Sequence, residues 1–230
     1  MKAAFRARSL HKWIGLIMGV QALLWMISGV YMTVVPLEII HGDHLAHVRG
    51  KPLQAATARI EADALHQRYP GLTALKLKRL LGREVYELQT GGRSALVDAA
   101  TGAQISPLER ADAIAVATAL YQGDGVVRAA ELVTRAPQEV VTRPVPMWAV
   151  HFADRGQTTL YLSPDNGELL ARRHSLWRWF DFLWMFHIMD YDTRSDVNNP
   201  LLRVAAISGL LFVLSGAWLL YFSFRRRPAR

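Results

Sequence analysis

"WIGLIMGVQALLWMISGVYMTVV", residues 13–35, carries no charged side chain. A bilayer core of about 30 Å needs about 20 helical residues, so this run is long enough to cross one. A second uncharged run, "VAAISGLLFVLSGAWLLYFSF", covers residues 204–224. Two membrane-spanning helices are therefore expected. The first run exceeds the apolar stretch of about 7–15 residues found in a secretory signal, and no small-x-small cleavage pattern follows it closely. It reads as an uncleaved anchor.

Charge gives the expected orientation. Lys2, Arg6, Arg8 and Lys12 precede the first run, and Arg225, Arg226, Arg227 and Arg230 follow the second, with no acid in either group. Setting those eight aside from 27 basic residues leaves 19, against 19 acidic residues in the rest, so the formal charge of +8 resides at the two ends. Basic flanks mark the cytoplasmic side, which puts both ends in the cytoplasm and residues 36–200 largely outside. The same distribution leaves no basic patch elsewhere and argues against a nucleic-acid partner. The chain has no cysteine, which excludes disulfides, iron–sulfur clusters, thiolate zinc sites and covalent c-type haem. A bound metal or haem would depend on histidine, carboxylate, methionine or tyrosine.

Between the spans one pattern occurs twice. "PLQAATARIEADALHQRYPG" reads as a helix stopped at Pro70-Gly71, followed by three strand-like runs, "LTALKLKRL", "REVYELQT" and "SALVDAATGAQI". "PLERADAIAVATALYQG" reads as a second helix ended by Gly123, followed by "VVRAAELV", "MWAVHFAD" and "TTLYLSPDNGELLARR". "LVDAATGAQI" aligns with "YLSPDNGELL": an apolar strand, a turn whose glycine can take positive φ, and a departing strand. Each copy is expected to be a helix packed on a small antiparallel sheet, with Asp98 and Asp165 capping amides in the turns.

"SLHKWIGL" at the first span, the units ending in "VDAATGAQI" and "LSPDNGELL", and the final "SGAWLLY" resemble the PepSY-associated transmembrane family, in its short two-span bacterial form. "WMISGVYM", "HGDHL" and "HIMDYDTRSDVNNPLLR" are similar to stretches of its short members. The resemblance covers nearly the whole chain. It implies a bacterial inner (plasma) membrane protein with an exterior, periplasmic tandem PepSY-like domain. Larger relatives with four or more spans include haem-containing reductases of ferric siderophores, whereas other PepSY proteins are accessory or inhibitory modules. This chain shows only two clear spans.

"HSLWRWFDFLWMFHIMDY", residues 174–191, is apolar but interrupted by Arg178, Asp181 and His187. Crossing the membrane here would put the C-terminal arginines outside, against the charge rule, and the aromatic cluster suits the headgroup zone. An amphipathic helix lying in or dipping into the outer interface is expected. The fold class is thus membrane α-helical plus α+β. Its parts are a basic tail (1–12), a span (13–35), a histidine connector (36–51), PepSY-like units (52–106 and 107–173), the interfacial helix (174–191), a connector (192–203), a second span (204–224) and a basic tail (225–230).

"EIIHGDHLAHVRG", residues 38–50, spaces His41, His44 and His47 three apart where the first span ends. One of them, paired with His187, would supply the two axial imidazoles of a b-type haem, with Trp184, Met185 and Phe186 as an apolar wall. Three histidines three apart cannot all face one ion on a regular helix, so loose divalent-metal binding ranks below haem, and simple solvation at the interface competes with both. His11 shares a helix face with Gly15 and Gly19; it reads as a haem ligand whose partner histidine would come from a second protomer, or as part of a helix-packing face. His66, His151 and His174 read as unpaired. No glycine-rich phosphate loop, nucleophile elbow or H-E-x-x-H is present. Two functions follow. One is a haem-b electron-transfer subunit serving ferric chelate or another exterior acceptor, in a homodimer or with a partner membrane subunit. The other is a non-enzymatic anchored module that binds a periplasmic partner. Membrane lipid surrounds the protein in both.

Overall fold

The computed structural model of the chain describes residues 2–47, 52–53 and 59–224, with side chains described from residue 12 to residue 217. It divides into two compact units, residues 1–36 with 179–230, and residues 37–178.

The first unit is built on two long helices, α1 (Lys2–Val34) and α6 (Pro200–Phe224). Within them Lys12–Val34 and Pro200–Ala217 are long and apolar enough to cross a membrane. Pro200 stands at the first position of α6, where its missing N–H is no loss. The helices run antiparallel, with glycine at the points of closest approach. A Cβ on Gly15 would lie 3.1 Å from Phe212 Cζ, and one on Gly209 would lie 3.1 Å from Met18 Cε. Gly19 has nothing within 4 Å, so the glycine pair expected on one face of α1 supplies only one contact here. Leu16, Ile17, Leu23 and Met26 on α1 and Val204, Ile207 and Leu210 on α6 stay exposed, as residues facing lipid would.

Helix α5 (Ser175–Ile188) is too short to span and brings its last turn against α1. The final carbonyls of a helix have no partners of their own. Here each of the last three receives a side-chain donor: Gln21 Nε2 to Phe186 O at 3.2 Å, Trp25 Nε1 to His187 O at 2.8 Å, and Asn199 Nδ2 to Ile188 O at 2.8 Å. The Gly15–Phe212 and Gly209–Met18 register, continued at 1.5 Å per residue, sets the start of α6 about 10 Å short of the end of α1. Residues 189–199 lead from α5 into α6. The connector folds around the buried Asp190 carboxylate, which accepts from the amides of Asp192, Thr193, Ser195 and Asp196 and from the Thr193 hydroxyl. Burial opposes its charge, but these donors outweigh burial and hold the carboxyl far below the usual range. Arg194 closes the loop by pairing with Asp181 on α5.

The second unit holds two antiparallel sheets. The first has the order β1 (Leu72–Leu80), β2 (Arg83–Thr90), β3 (Arg93–Asp98); helix α3 (Ala62–Arg68) packs Leu65 against Leu88 and Val97. The second has the order β4 (Val127–Val133), β5 (Met147–Phe152), β6 (Thr159–Leu162), β7 (Leu169–Arg173), beneath helix α4 (Arg110–Leu120). One core joins the halves: Val85 and Leu96 from the first sheet meet Val116 and Ala117 of α4 and Val150, Leu160 and Leu162 of the second. Trp148 Nε1 donates to Leu108 O at 2.9 Å and fixes the chain that leads into α4.

The turns that close β3 and β6 are the same turn. Asp98 N donates to Ala103 O and Gly102 N to Asp98 O, both at 2.8 Å; Ser163 N donates to Glu168 O and Gly167 N to Ser163 O, both at 2.9 Å. Gly102 and Gly167 both have φ of 69°. Asp98 Oδ1 caps Ala100 N, and Ser163 Oγ caps Asp165 N in the equivalent place. Capping in the second turn therefore falls to Ser163 and Asn166 rather than to Asp165. The copies differ afterwards: the return strand is the full β7 in the second and a single bridge, Val97 with Gln104, in the first. The first helix also starts later than its composition implies. Ile60 N donates to Ala99 O and Arg59 pairs with Glu84 at 2.8 Å, so these residues dock on the sheet and α3 begins only at Ala62. Residues 54–58 of the expected helix lie outside the described ones.

Both glycines should resist substitution, because an L side chain at positive φ costs about 1–2 kcal/mol. Gly102→Ala and Gly167→Ala are each expected to lower the denaturation midpoint of the detergent-solubilised chain. Gly102→Ala should lower it more, since its Cβ would meet Ile60 Cδ1 at 2.8 Å. Unchanged midpoints would refute the shared turn.

Candidate functional site

The histidine connector is not one helix. Helix α2 (Leu37–His41) ends at Gly42, whose φ of 71° reverses the chain. His41, His44 and His47 consequently lie on a short helix and the turns after it, and all three are exposed. The segment is tied down within its own unit by other groups. Asp43 pairs with Arg172 of β7 at 2.6 Å, Ala46 bridges Tyr121, and Gln122 N donates to Leu45 O.

The buried partner of this segment is His174, a residue the sequence leaves unpaired. Its Nε2–H donates to Ile40 O at 3.1 Å, and its ring stands edge-on to His44 with centroids 5.9 Å apart. Gly42 has no side chain because the His174 ring occupies that space: a Cβ there would lie 3.3 Å from Cδ2. Burial pushes the His174 pKa down, with His44 and Arg178 adding to the effect and the Ile40 carbonyl opposing it. His151 is also paired, Nδ1 with Thr159 Oγ1 at 3.0 Å and Nε2 with Glu131 at 3.1 Å. Among the described residues no group of three or more histidine, aspartate or glutamate side chains is placed to hold a metal ion.

His187 belongs to the other unit. Its Nδ1 lies 2.8 Å from Ser28 Oγ, and its ring stacks on Trp184, 5.9 Å between centroids and 6° between planes. The single Ser28 hydroxyl proton has acceptors on its own helix, Leu24 O at 2.8 Å and Trp25 O at 3.0 Å. In the tautomer that carries its proton on Nδ1, that nitrogen donates to Ser28 Oγ and Nε2 keeps the lone pair. His11 lies on α1, with its side chain outside the described ones.

A groove of about 630 Å³ opens between the two halves of the second unit, on the sheet face that carries Lys76, Lys78 and Glu87, with Val116 and Leu120 of α4 on its other side. Lys78 Nζ donates to Glu87 at 2.8 Å and to Asn166 O at 2.9 Å, while Asn166 Nδ2 donates to Glu87 at 2.7 Å. Burial raises the Glu87 pKa, but the donors Lys78 and Asn166 outweigh it and the carboxyl stays ionised below its usual range. A smaller hollow of about 220 Å³, lined by His47 and Leu81, adjoins it at Arg79 and Leu80. No periodic signal marks this groove in the sequence, because its lining comes from Leu53, β1, β2, α4 and the turn into β7.

The His174 contact predicts a pH dependence. Its folded pKa lies below the unfolded value of about 6.5, so the stability of the neutral ring is fully present above that value and is lost as pH falls through the folded pKa. We expect the melting temperature to fall between pH 7 and pH 5 more steeply in the wild-type chain than in His174→Gln. Parallel curves would reject this role.

The family model described as "PepSY-associated TM region" matches residues 8–230. No curated protein and no solved structure matches the chain. Its two long apolar helices and its two small helix-bearing antiparallel sheets fit a membrane protein of mixed α and α+β layout. With all but the first few residues matched, the chain belongs to the PepSY-associated transmembrane family.

Proposed function

We propose that the chain is an anchored accessory module of the bacterial inner membrane that binds a periplasmic partner protein through its two PepSY-like halves. In this reading α1 and α6 cross the membrane, their basic ends are cytoplasmic, and residues 36–200 are largely periplasmic. Helix α5 then dips from the outer interface, with Trp179 and Phe182 exposed and its last turn reaching the level of Gln21 and Trp25. The groove between the halves carries the proposal: it holds about 630 Å³ and is built from both copies. A chain without cysteine lends itself to a direct test of orientation. A membrane-impermeant maleimide should label Arg93→Cys in cells with a permeabilised outer membrane, and should label Pro228→Cys only after lysis. The reverse pattern would overturn the orientation.

Haem-b electron transfer is the second reading, and His187 is the observation that favours it. A bound haem would supply one-electron transfer to ferric chelate or another acceptor. Ser28 would hold the imidazole with Nε2 free to ligate, and Trp184 would provide an apolar wall. His41 and His44 belong to the other unit, where they are exposed and His44 leans on His174. A second ligand beside His187 would come from a second protomer or a partner membrane subunit, whereas His11, about 25 Å from Ser28 along α1, would serve a separate haem near the cytoplasmic end. Protein purified from cells supplied with a haem precursor would show a Soret band and a sharp reduced α-band, both lost in His187→Ala. A colourless, folded preparation would exclude this reading.

A further inference from the structure

Strand β1 is the edge of the first sheet: among the described residues it pairs with β2 alone. Every second residue of such a strand aims its N–H and C=O away from the sheet, ready to pair with another extended chain. Proteins commonly blunt such an edge with lysines that reach into solvent. Lys78 does not serve that purpose. It is mostly buried and held by Glu87 and Asn166, so it forms part of the groove floor. Lys76, one pleat along on the same face, is exposed and has no ion pair among the described residues. Arg79 gives its terminal nitrogens to the carbonyls of Pro52 and Gly82, and its Nε is buried without a partner among the described residues. A buried donor left without an acceptor costs about 1–3 kcal/mol, so this one calls for an explanation.

These observations meet at one place. The β1 edge, unpaired among the described residues, the Lys76 charge, the unsatisfied Arg79 nitrogen and the apolar wall of Leu53, Leu80, Leu120 and Leu169 all border the same groove, with Glu87 and Glu168 as its acids. We infer that β1 accepts an extended, acidic peptide segment of the partner protein as an added strand. The peptide's main chain pairs with the strand edge, its carboxylates at alternate positions face Lys76 and Lys78, and its apolar residues cover the wall. Main-chain pairing supplies affinity with little sequence demand, and alternate side chains supply the selection. This inference rests on the partner-binding reading above and names the chemistry of the partner.

The test uses the full chain in phosphatidylcholine nanodiscs with a fluorescent peptide, Asp-Val-Asp-Val-Asp-Val-Asp, as probe. Saturable binding is expected, weakened by added salt as the charges are screened. It should fall about tenfold with Lys76→Glu, where two like charges replace an attraction. Lys76 is exposed, so this variant should fold; Lys76→Glu with Arg79→Glu should lose more. A peptide N-methylated at alternate amides should bind poorly to the wild-type chain, because it cannot donate to the strand edge. Equal binding of a Lys-Val alternating peptide, indifference to Lys76→Glu, or full binding of the N-methylated peptide would each overturn the inference. A photo-crosslinking residue placed at Lys76 or at the exposed Arg143 in cell membranes separates the two levels. A partner captured from Arg143 but not from Lys76 overturns the groove and leaves partner binding standing. Capture from neither overturns both.

Discussion

Three carbonyls at the end of α5 have to find donors, and this requirement organises the helical part of the protein. Phe186 and His187 obtain theirs from Gln21 and Trp25 of α1, and Ile188 obtains its own from Asn199 just before α6. A polar glutamine within an otherwise apolar helix is costly in lipid unless it is used, and here it caps another helix. The same contacts fix how far α5 runs along α1, and therefore where the chain can turn into α6. Asp190 completes the turn by supplying an acceptor for four amides that would otherwise be unpaired.

The second unit follows a different logic, that of a duplicated motif under divergent use. The turn around Gly102 and the turn around Gly167 keep the same hydrogen bonds and the same glycine conformation. The strand leaving the turn has changed. In the second copy it continues as β7, and in the first it gives way after Gln104 to the chain that leads into α4. The copies thus stay physically joined through Leu108, held by Trp148, and share one core. A groove between them is the natural result of packing two similar but unequal sheets around one helix.

Periodicity and turn chemistry made most of the secondary structure legible. The run "LTALKLKRL" is β1 and "REVYELQT" is β2, since alternation and the Leu81-Gly82 turn leave little choice. The start of α3 was not legible, because alanine-rich composition favours a helix at positions where docking of Ile60 and the Arg59–Glu84 pair decides otherwise. The surroundings of the histidine triplet were not legible for a related reason. Spacing of three suggested a helical face, but Gly42 breaks the helix, and the histidine that matters for this segment lies 130 residues further on in sequence, at His174. His174 directly follows the strand that ends at Arg173, and no local pattern ties it to Ile40. Contacts between distant segments leave no local pattern.

The second unit is inserted into the first, entering at residue 37 and leaving at residue 178. Close to those points, Ile40 is bonded to His174 and Asp43 to Arg172. Entry and exit are thus stapled to each other inside the insert. For the membrane helices, a segment of well over a hundred residues is then topologically equivalent to a short loop. The entropy of closing it falls on the insert's own folding rather than on the pairing of α1 with α6. Such an arrangement is modular: a different domain with equally close ends could occupy the same place without disturbing the helices that hold it.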